Sequence, residues 1–483
     1  MQKVWSIPGR SIAVSALALA LTACQSMRGP EPVVQANIPS SYTNASGSSI
    51  AEQGYKDFFV DQRLIQVIDM ALENNRDLRT AALNIERTQQ LYQISKNNQL
   101  PTIGASGSVL RQDTITANSP YTSYNVGLGV TAYELDFWGR VRSLKDNALD
   151  TYLATQSARD ATQIALISQV TQAWLTYSYA NANLQLAEKT LKSQQEAYNL
   201  NKKRFDIGID NELSVRQAQI SVETARSDVG SYKTQVAQAK NALNLLVGQQ
   251  VPDNLLATQR IAKVTNINSI GTGLPSELLN NRPDVRSAEY KLSAAGANIG
   301  AAKAKLFPTI SLTGNAGYAS TDLSDLFKSG SFVWSVGPSL DLPIFDWGTR
   351  RSNIKIAEID QKIALSDYEK SIQSAFSEVN DALAVRYNIN ERLSAQRRLV
   401  DAATTSYKLS NARFRAGIDS YLSVLDAQRT SYSAEQGLLL LEQANLNNQV
   451  ELYKSLGGGV KATTPEQVNQ QPSSSDLKYG KNN

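Results

Sequence analysis

The chain has 483 residues, with 48 lysines and arginines against 44 aspartates and glutamates, one cysteine and no histidine. This near balance of charge gives no basic surface for nucleic acid, and a single thiol excludes an intrachain disulfide. Without histidine there is no imidazole for acid–base or triad catalysis, and no Walker A string, dinucleotide glycine fingerprint or EF-hand loop occurs; an enzyme is the least favoured class.

Lys3 and Arg10 precede the apolar run Ser11 to Ala23, too short for a membrane helix, which needs about 20 apolar residues. Residues 1–23 therefore read as a signal peptide. Leu21-Thr22-Ala23-Cys24 resembles a bacterial lipobox, and the cysteine at its cleavage point is the only one in the chain. The expected product carries N-palmitoyl and S-diacylglycerol groups on Cys24 and needs no other cofactor. Each buried methylene of such chains contributes about 0.8 kcal/mol of anchoring. Gln25, rather than Asp, follows the cysteine, which leaves the outer membrane as destination. Residues 24–54, rich in Ser, Pro, Asn and Gly, predict a tether.

From about Asp61 to Asn98 the apolar spacing of Leu64, Ile68, Ala71, Leu72, Leu78, Ala81, Ala82 and Ile85 predicts a helix, ended at Leu100-Pro101. Two alternating segments follow within 101–135, with Ile103, Ala105, Gly107 and Val109, then Val126, Leu128, Val130 and Ala132, on one face and small polar residues on the other. Their length of about ten residues suits a tilted membrane strand, and Tyr133, Phe137 and Trp138 at the base suit an interfacial girdle.

After Trp138-Gly139 no proline or glycine occurs until Gly208, which predicts a helix of about 90 Å. Leu166, Val170, Ala173, Tyr177, Ala180, Leu184, Ala187 and Leu191 form a heptad seam along it. Gly208 suits a left-handed C-cap, Asp210 stands where it would cap the next helix, and that helix returns over about 213–247.

The same order then repeats. Asp77-Leu78-Arg79 recurs as Asp284-Val285-Arg286 and Pro101-Thr102-Ile103 as Pro308-Thr309-Ile310, offset by 207 positions. Past the hairpin the offset is 209: Trp138-Gly139 recurs as Trp347-Gly348, and Arg204-Phe205 with Gly208-Ile209-Asp210 recurs as Arg413-Phe414 with Gly417-Ile418-Asp419. The chain thus reads as two structural repeats, over 55–250 and 264–458, joined by a linker at 251–263 and followed by a disordered tail at 459–483. The second copy has its hairpin at 308–343, Phe345 and Trp347 at its base, a seam through Ile372, Phe376, Val379 and Leu383, and a tip at 413–422 to match 204–213. Four membrane strands cannot close a barrel, so the hairpins need other subunits; eight strands from two copies or twelve from three both satisfy the backbone. Polar inner faces favour the larger, water-filled ring.

The twofold order of helix, hairpin, long helix, tip and return helix, with Y-E-L-D-F-W-G-R at Tyr133 to Arg140 and the R-F-x-x-G-I-D tips, resembles the outer-membrane factor family of the TolC and OprM type over about residues 55–458. The lipobox points to its lipidated branch. Thr349 stands where the first copy has Arg140, one departure from strict duplication. The resemblance implies an α+β fold: a trimeric 12-stranded outer-membrane β-barrel continuous with a long periplasmic α-helical coiled-coil barrel. It implies an exit duct for a tripartite multidrug efflux pump, a periplasmic adaptor as partner and, through it, an inner-membrane transporter of the resistance–nodulation–division type. It further implies a periplasmic gate at Asp210 and Asp419 with Arg204 and Arg413 in reach, and adaptor contact at Gly208, Ile209, Gly417 and Ile418. Three or more carboxylates at one constriction would attract cations. The alternatives are a duct for protein secretion or metal export, and a trimeric coiled-coil structural lipoprotein.

Overall fold

The computed structural model describes residues 27–39, 42, 53–113, 120–265 and 281–459. The signal segment, Cys24, much of the expected tether and the tail after 459 lie outside the described residues. A helical turn at Tyr55–Phe58 leads into α1 (Gln62–Asn74) and α2 (Arg76–Asn97), then β1 (Ile103–Gln112) and β2 (Tyr121–Glu134), α3 (Arg140–Asp206) and α4 (Glu212–Val247). The second series is α5 (Pro283–Ala304), β3 (Thr309–Ser320), β4 (Phe332–Asp341), α6 (Thr349–Arg415) and α7 (Tyr421–Ser455). No described helix is long and apolar enough to cross a membrane.

The chain divides into two compact units. One draws on residues up to Gln35, Asn84–Gln156 and Ser287–Glu369; the other on Ala36–Leu83, Ser157–Arg286 and from Lys370 onward. The first unit contains the sheet. Its strands run antiparallel in the order β1-β2-β3-β4. The two predicted hairpins are therefore not separate, because β2 pairs with β3 across the repeat boundary. Register lines the apolar positions up in rows. Ile103, Val130, Gly314 and Val336 form one row, Ala105, Leu128, Ala316 and Trp334 the next, Gly107, Val126, Tyr318 and Phe332 a third. The opposite face carries rows such as Gly104, Gly129, Asn315 and Ser335. Side chains alternate along a strand, so a slip of one residue would exchange these faces.

Strict alternation fails at one place. The register shifts between Val130 and Tyr133, where Ala132 takes a positive φ of 49°. Ala132 is thus the extra residue of a bulge and not a member of the apolar row; the bulge returns Tyr133 to that face, opposite Leu312. The edges β1 and β4 have no further strand among the described residues.

Part of the expected tether is docked in this unit. Gly29 N donates to Gly296 O at 3.1 Å, the Arg28 guanidinium reaches Ser293 O at 2.9 Å and Asp150 at 3.5 Å, and Gln35 N donates to Glu369 Oε1 at 2.7 Å. Composition alone does not reveal this, because Gly29 and Gln35 are held through their backbone amides and Arg28 by partners far away in sequence.

The second unit shows the duplication in matched contacts made by different side chains. The periodic pattern predicts one helix over 61–98, but Asn75 breaks it with φ −63° and ψ 131°. The Asn75 amide donates to Leu246 O at 2.8 Å, and its carbonyl caps α2 by accepting Leu78 N at 2.9 Å. The second copy places Arg282 at the equivalent position, and its guanidinium donates to Ser455 O at 3.0 Å. Leu246 and Ser455 are themselves equivalents, so each copy holds the end of its return helix from its lead helix. Gly248 and Gly457 follow those ends with φ of 80° and 105°, and a Cβ on either would collide with Asn74 O or Asn281 O. Arg282 also pairs with Asp284 at 2.6 Å and Glu378 at 2.7 Å. Burial lifts the Asp284 carboxyl, but hydrogen bonds and charge from Arg282 outweigh it and hold it below its ordinary value.

The 67-residue helices α3 and α6 have no internal breaker. Leu166, Val170, Tyr177, Ala180 and Ala187 of the expected seam are buried, but so are Trp174, Ser178 and Tyr179 on another face. Their polar atoms hold the linker: Trp174 Nε1 donates to Leu255 O at 3.0 Å, Ser178 Oγ to Gln259 O at 2.7 Å and the Tyr179 hydroxyl to Ile261 O at 2.9 Å.

Candidate functional site

Two places combine exposed apolar groups with ordered polar contacts: the corners where strands meet helices, and the tips between long and return helices. At the first corner, Asp136 caps α3 by accepting Val141 N at 3.0 Å and Arg142 N at 2.8 Å. Trp138 stacks on Phe307 with centroids 4.7 Å apart and donates Nε1 to Pro308 O at 2.8 Å. At the second corner Asp346 caps α6, accepting Arg350 N at 3.1 Å and Arg350 Nε at 2.7 Å. There Trp347 is 88% exposed, with only Phe345 against its edge at 4.4 Å.

The tips turn in the same way. Gly208 and Gly417 have φ of 76° and 75°. Ile209 N reaches back to Arg204 O at 2.8 Å, and Ile418 N to Arg413 O at 2.9 Å. These are Schellman closures, in which a left-handed residue lets the chain satisfy the last helical carbonyls. Exposed Ile209 and Ile418 project from the turns, each followed four residues on by an exposed leucine, Leu213 or Leu422.

Neither Asp210 nor Asp419 is the N-cap expected from its position. The caps fall one residue later, on Asn211, which accepts Ser214 N at 3.0 Å, and on Ser420, whose side chain makes no capping bond. Asp210 instead accepts Asn211 N at 2.8 Å and Ser214 Oγ at 2.9 Å, with Arg204 Nε 3.6 Å away. Asp419 is gripped by Arg413 through two bonds, of 2.6 and 3.0 Å. That hydrogen bonding keeps the Asp419 carboxyl below its ordinary 3.8. The expected arginine–aspartate pairs thus lie within each tip, Arg204 with Asp210 and Arg413 with Asp419. Cys24 lies outside the described residues.

A buried aromatic cluster joins the two tips. Phe414 and Tyr421 are buried with Ala218, Val424 and Leu425, and the Arg204 guanidinium sits 4.9 Å over the Phe414 ring. Burial pushes the Tyr421 phenol up to about 12. Its hydroxyl has no hydrogen-bond partner among the described residues. A groove of about 400 Å³ beside it is lined by Leu200, Arg204, Tyr407 and Asn411, among others. The repeat itself held the signal: Tyr421 stands where the first copy has Glu212, a charge exchanged for an aromatic ring. Further along α7, Asp426 is exposed and has no ion pair among the described residues.

Known proteins share this arrangement. A family model described as "Outer membrane efflux protein" matches residues 67–249 and again 274–458. The antibiotic efflux pump outer membrane protein ArpC of Pseudomonas putida is 43% identical, covering 92% of this chain and 94% of its own length. The cation efflux system protein CusC of Escherichia coli is 37% identical, covering 92% and 97%. Among solved structures, the open state of the Neisseria gonorrhoeae MtrE outer membrane channel superposes with a TM-score of 0.84 at 38% identity, covering 90% of this chain and 99% of that one.

Proposed function

The chain belongs to the outer membrane efflux protein family, and on that premise we propose that it is the outer-membrane exit duct of a tripartite efflux pump, working as a homotrimer. The sheet carries the proposal. Its four strands present one apolar face for lipid and one face of small polar residues, and both edges are open. Unpaired backbone in hydrocarbon costs several kcal/mol per group, so the edges must pair with other copies. Three chains give twelve strands and a lumen wide enough for water.

The duct carries out no reaction; transport energy comes from an inner-membrane partner of the resistance–nodulation–division type. Gly208, Ile209, Gly417 and Ile418 present the adaptor contact, with both isoleucines exposed in support. Arg204 with Asp210 and Arg413 with Asp419 act as clasps that hold the closed tips. Acyl chains on Cys24 anchor the chain in the outer membrane. ArpC is named for antibiotics and CusC for cations, which supports placing substrate choice outside the duct.

The test is reconstitution in planar bilayers together with gene deletion. The expected outcome is a trimer stable in detergent, a measurable conductance and increased sensitivity to chemically diverse antibiotics. No conductance and no trimer would favour a structural lipoprotein. Loss of one secreted protein, or of cation tolerance alone, would favour the other ducts. Mass analysis of the mature N-terminal peptide tests the acylation of Cys24.

A further inference from the structure

The joint between the two copies inside one chain serves as a template for the joint between chains. We propose that Trp347 of each chain seats on the Leu100–Pro101 corner of a second copy of the same chain and acts as the key of the intermolecular joint. This rests on the ring proposed above and names the contact that closes it.

Within the chain, β2 and α3 of the first copy adjoin β3 and α5 of the second. The strands pair with Leu128 opposite Ala316. At the corner Trp138 donates to Pro308 O at 2.8 Å and stacks on Phe307. Just below, Asn147 donates to Ala294 O at 2.8 Å, and Asp150 accepts Ser293 Oγ at 2.6 Å. The repeat offsets carry each side of this joint to the other copy: 209 positions forward for the tryptophan side, 207 back for its partners. Trp138 then becomes Trp347, and Phe307-Pro308 becomes Leu100-Pro101. Asn147 and Asp150 become Ile356 and Ile359, and Ala294 becomes Arg87.

These counterparts are bare in one chain. Trp347 is 88% exposed, Leu100 66%, Ile356 55% and Ile359 45%. The strands leading to them are β4 and β1, the two open edges of the sheet. Pairing β4 of one chain with β1 of the next brings the second corner of one against the first corner of the other. The indole then finds a carbonyl at Pro101 and an apolar seat on Leu100, as Trp138 does inside the chain. Because the two surfaces differ, the contact is head-to-tail, and rotation about one axis closes it into a ring. The isoleucines replace the polar Asn147 and Asp150, while Ser293 and Ala294 become Glu86 and Arg87, so the lower part of this joint sets apolar side chains against charged ones and does not repeat the internal hydrogen bonds.

The full-length protein in its own membranes, carrying a benzophenone amino acid at position 347, tests the contact. Ultraviolet light should yield a chain-to-chain adduct whose linked peptide contains Leu100 and Pro101. The same probe at position 138 should link only within one chain. If the position-347 variant does not assemble, the reciprocal probe at Leu100 should capture the peptide containing Trp347. Trp347→Phe should keep the heat-resistant oligomer, whereas Trp347→Ala should lose it several-fold. Oligomers that persist with adducts elsewhere, or with none, overturn this contact and leave the duct standing. Absence of any oligomer of the unaltered chain overturns both.

Discussion

Arg204-Phe205 and Arg413-Phe414 open the same string at the two tips, yet Phe205 is 42% exposed and Phe414 only 3%. Backbone closure is shared, because glycine fixes it locally. Side-chain fate is not shared, because the residues around it differ. Tyr421 gives Phe414 a ring to pack on at 5.6 Å, whereas Glu212 at the matching position pairs with Arg216 and faces water. The arginines diverge in turn: Arg204 leans across to Phe414, and Arg413 stays on its own turn with Asp419. A repeated motif therefore fixes the geometry of a turn without fixing the role of each residue in it.

The largest expected asymmetry is between the phenylalanines. Truncating a buried Phe costs about 3–5 kcal/mol, and an exposed one less than about 1 kcal/mol. Phe414→Ala should raise hydrogen exchange across residues 407–425 by about 100-fold or more, and Phe205→Ala should leave its tip nearly unchanged. Equal responses would show that the cluster does not hold the tips together. Next come the arginines. Removing Arg204 takes a cation from the Phe414 ring, worth about 1–2 kcal/mol when partly desolvated. Arg204→Ala should loosen the other tip, raising exchange around Phe414, whereas Arg413→Ala should act only on its own turn. If Arg413→Ala also disturbed residues near Arg204, the one-way dependence would be lost.

What could be read in advance follows the same division. Glycine, proline and periodicity mark helix ends, alternating strands and the doubled order, because these act within a few residues. The apolar face of the sheet was legible for the same reason. Its continuity across β2 and β3 was not, because strand neighbours are chosen by pairing between copies. The break at Asn75 escaped because the apolar spacing runs through it; only the distant Leu246 carbonyl explains the residue. Trp174, Ser178 and Tyr179 read as helix filler until the linker is laid across them. At the tips, position suggested Asp210 and Asp419 as caps, but Asn211 stands next to the helix start and Arg413 occupies Asp419.

A smaller asymmetry lies in the caps. Asn211→Ala removes the bond to Ser214 N and should cost about 1 kcal/mol, read as faster exchange in the first turn of α4. Ser420→Ala removes no capping bond and should change the first turn of α7 little.

The smallest effect, at neutral pH none, concerns the Arg413–Asp419 clasp. A carboxyl whose folded value is depressed stabilises the folded form fully above its unfolded value and loses that contribution as pH falls through the folded one. Asp419 is depressed from 3.8 by Arg413, so its clasp should be intact throughout the physiological range and fail only below that value. Resting conductance should therefore stay flat from about pH 8 to about pH 5. Asp419→Asn at neutral pH should reproduce the acid state, because it removes the charge that Arg413 holds. A titration of conductance between pH 5 and 8 that vanished in Asp419→Asn would contradict the depressed carboxyl, and with it the Arg413–Asp419 clasp.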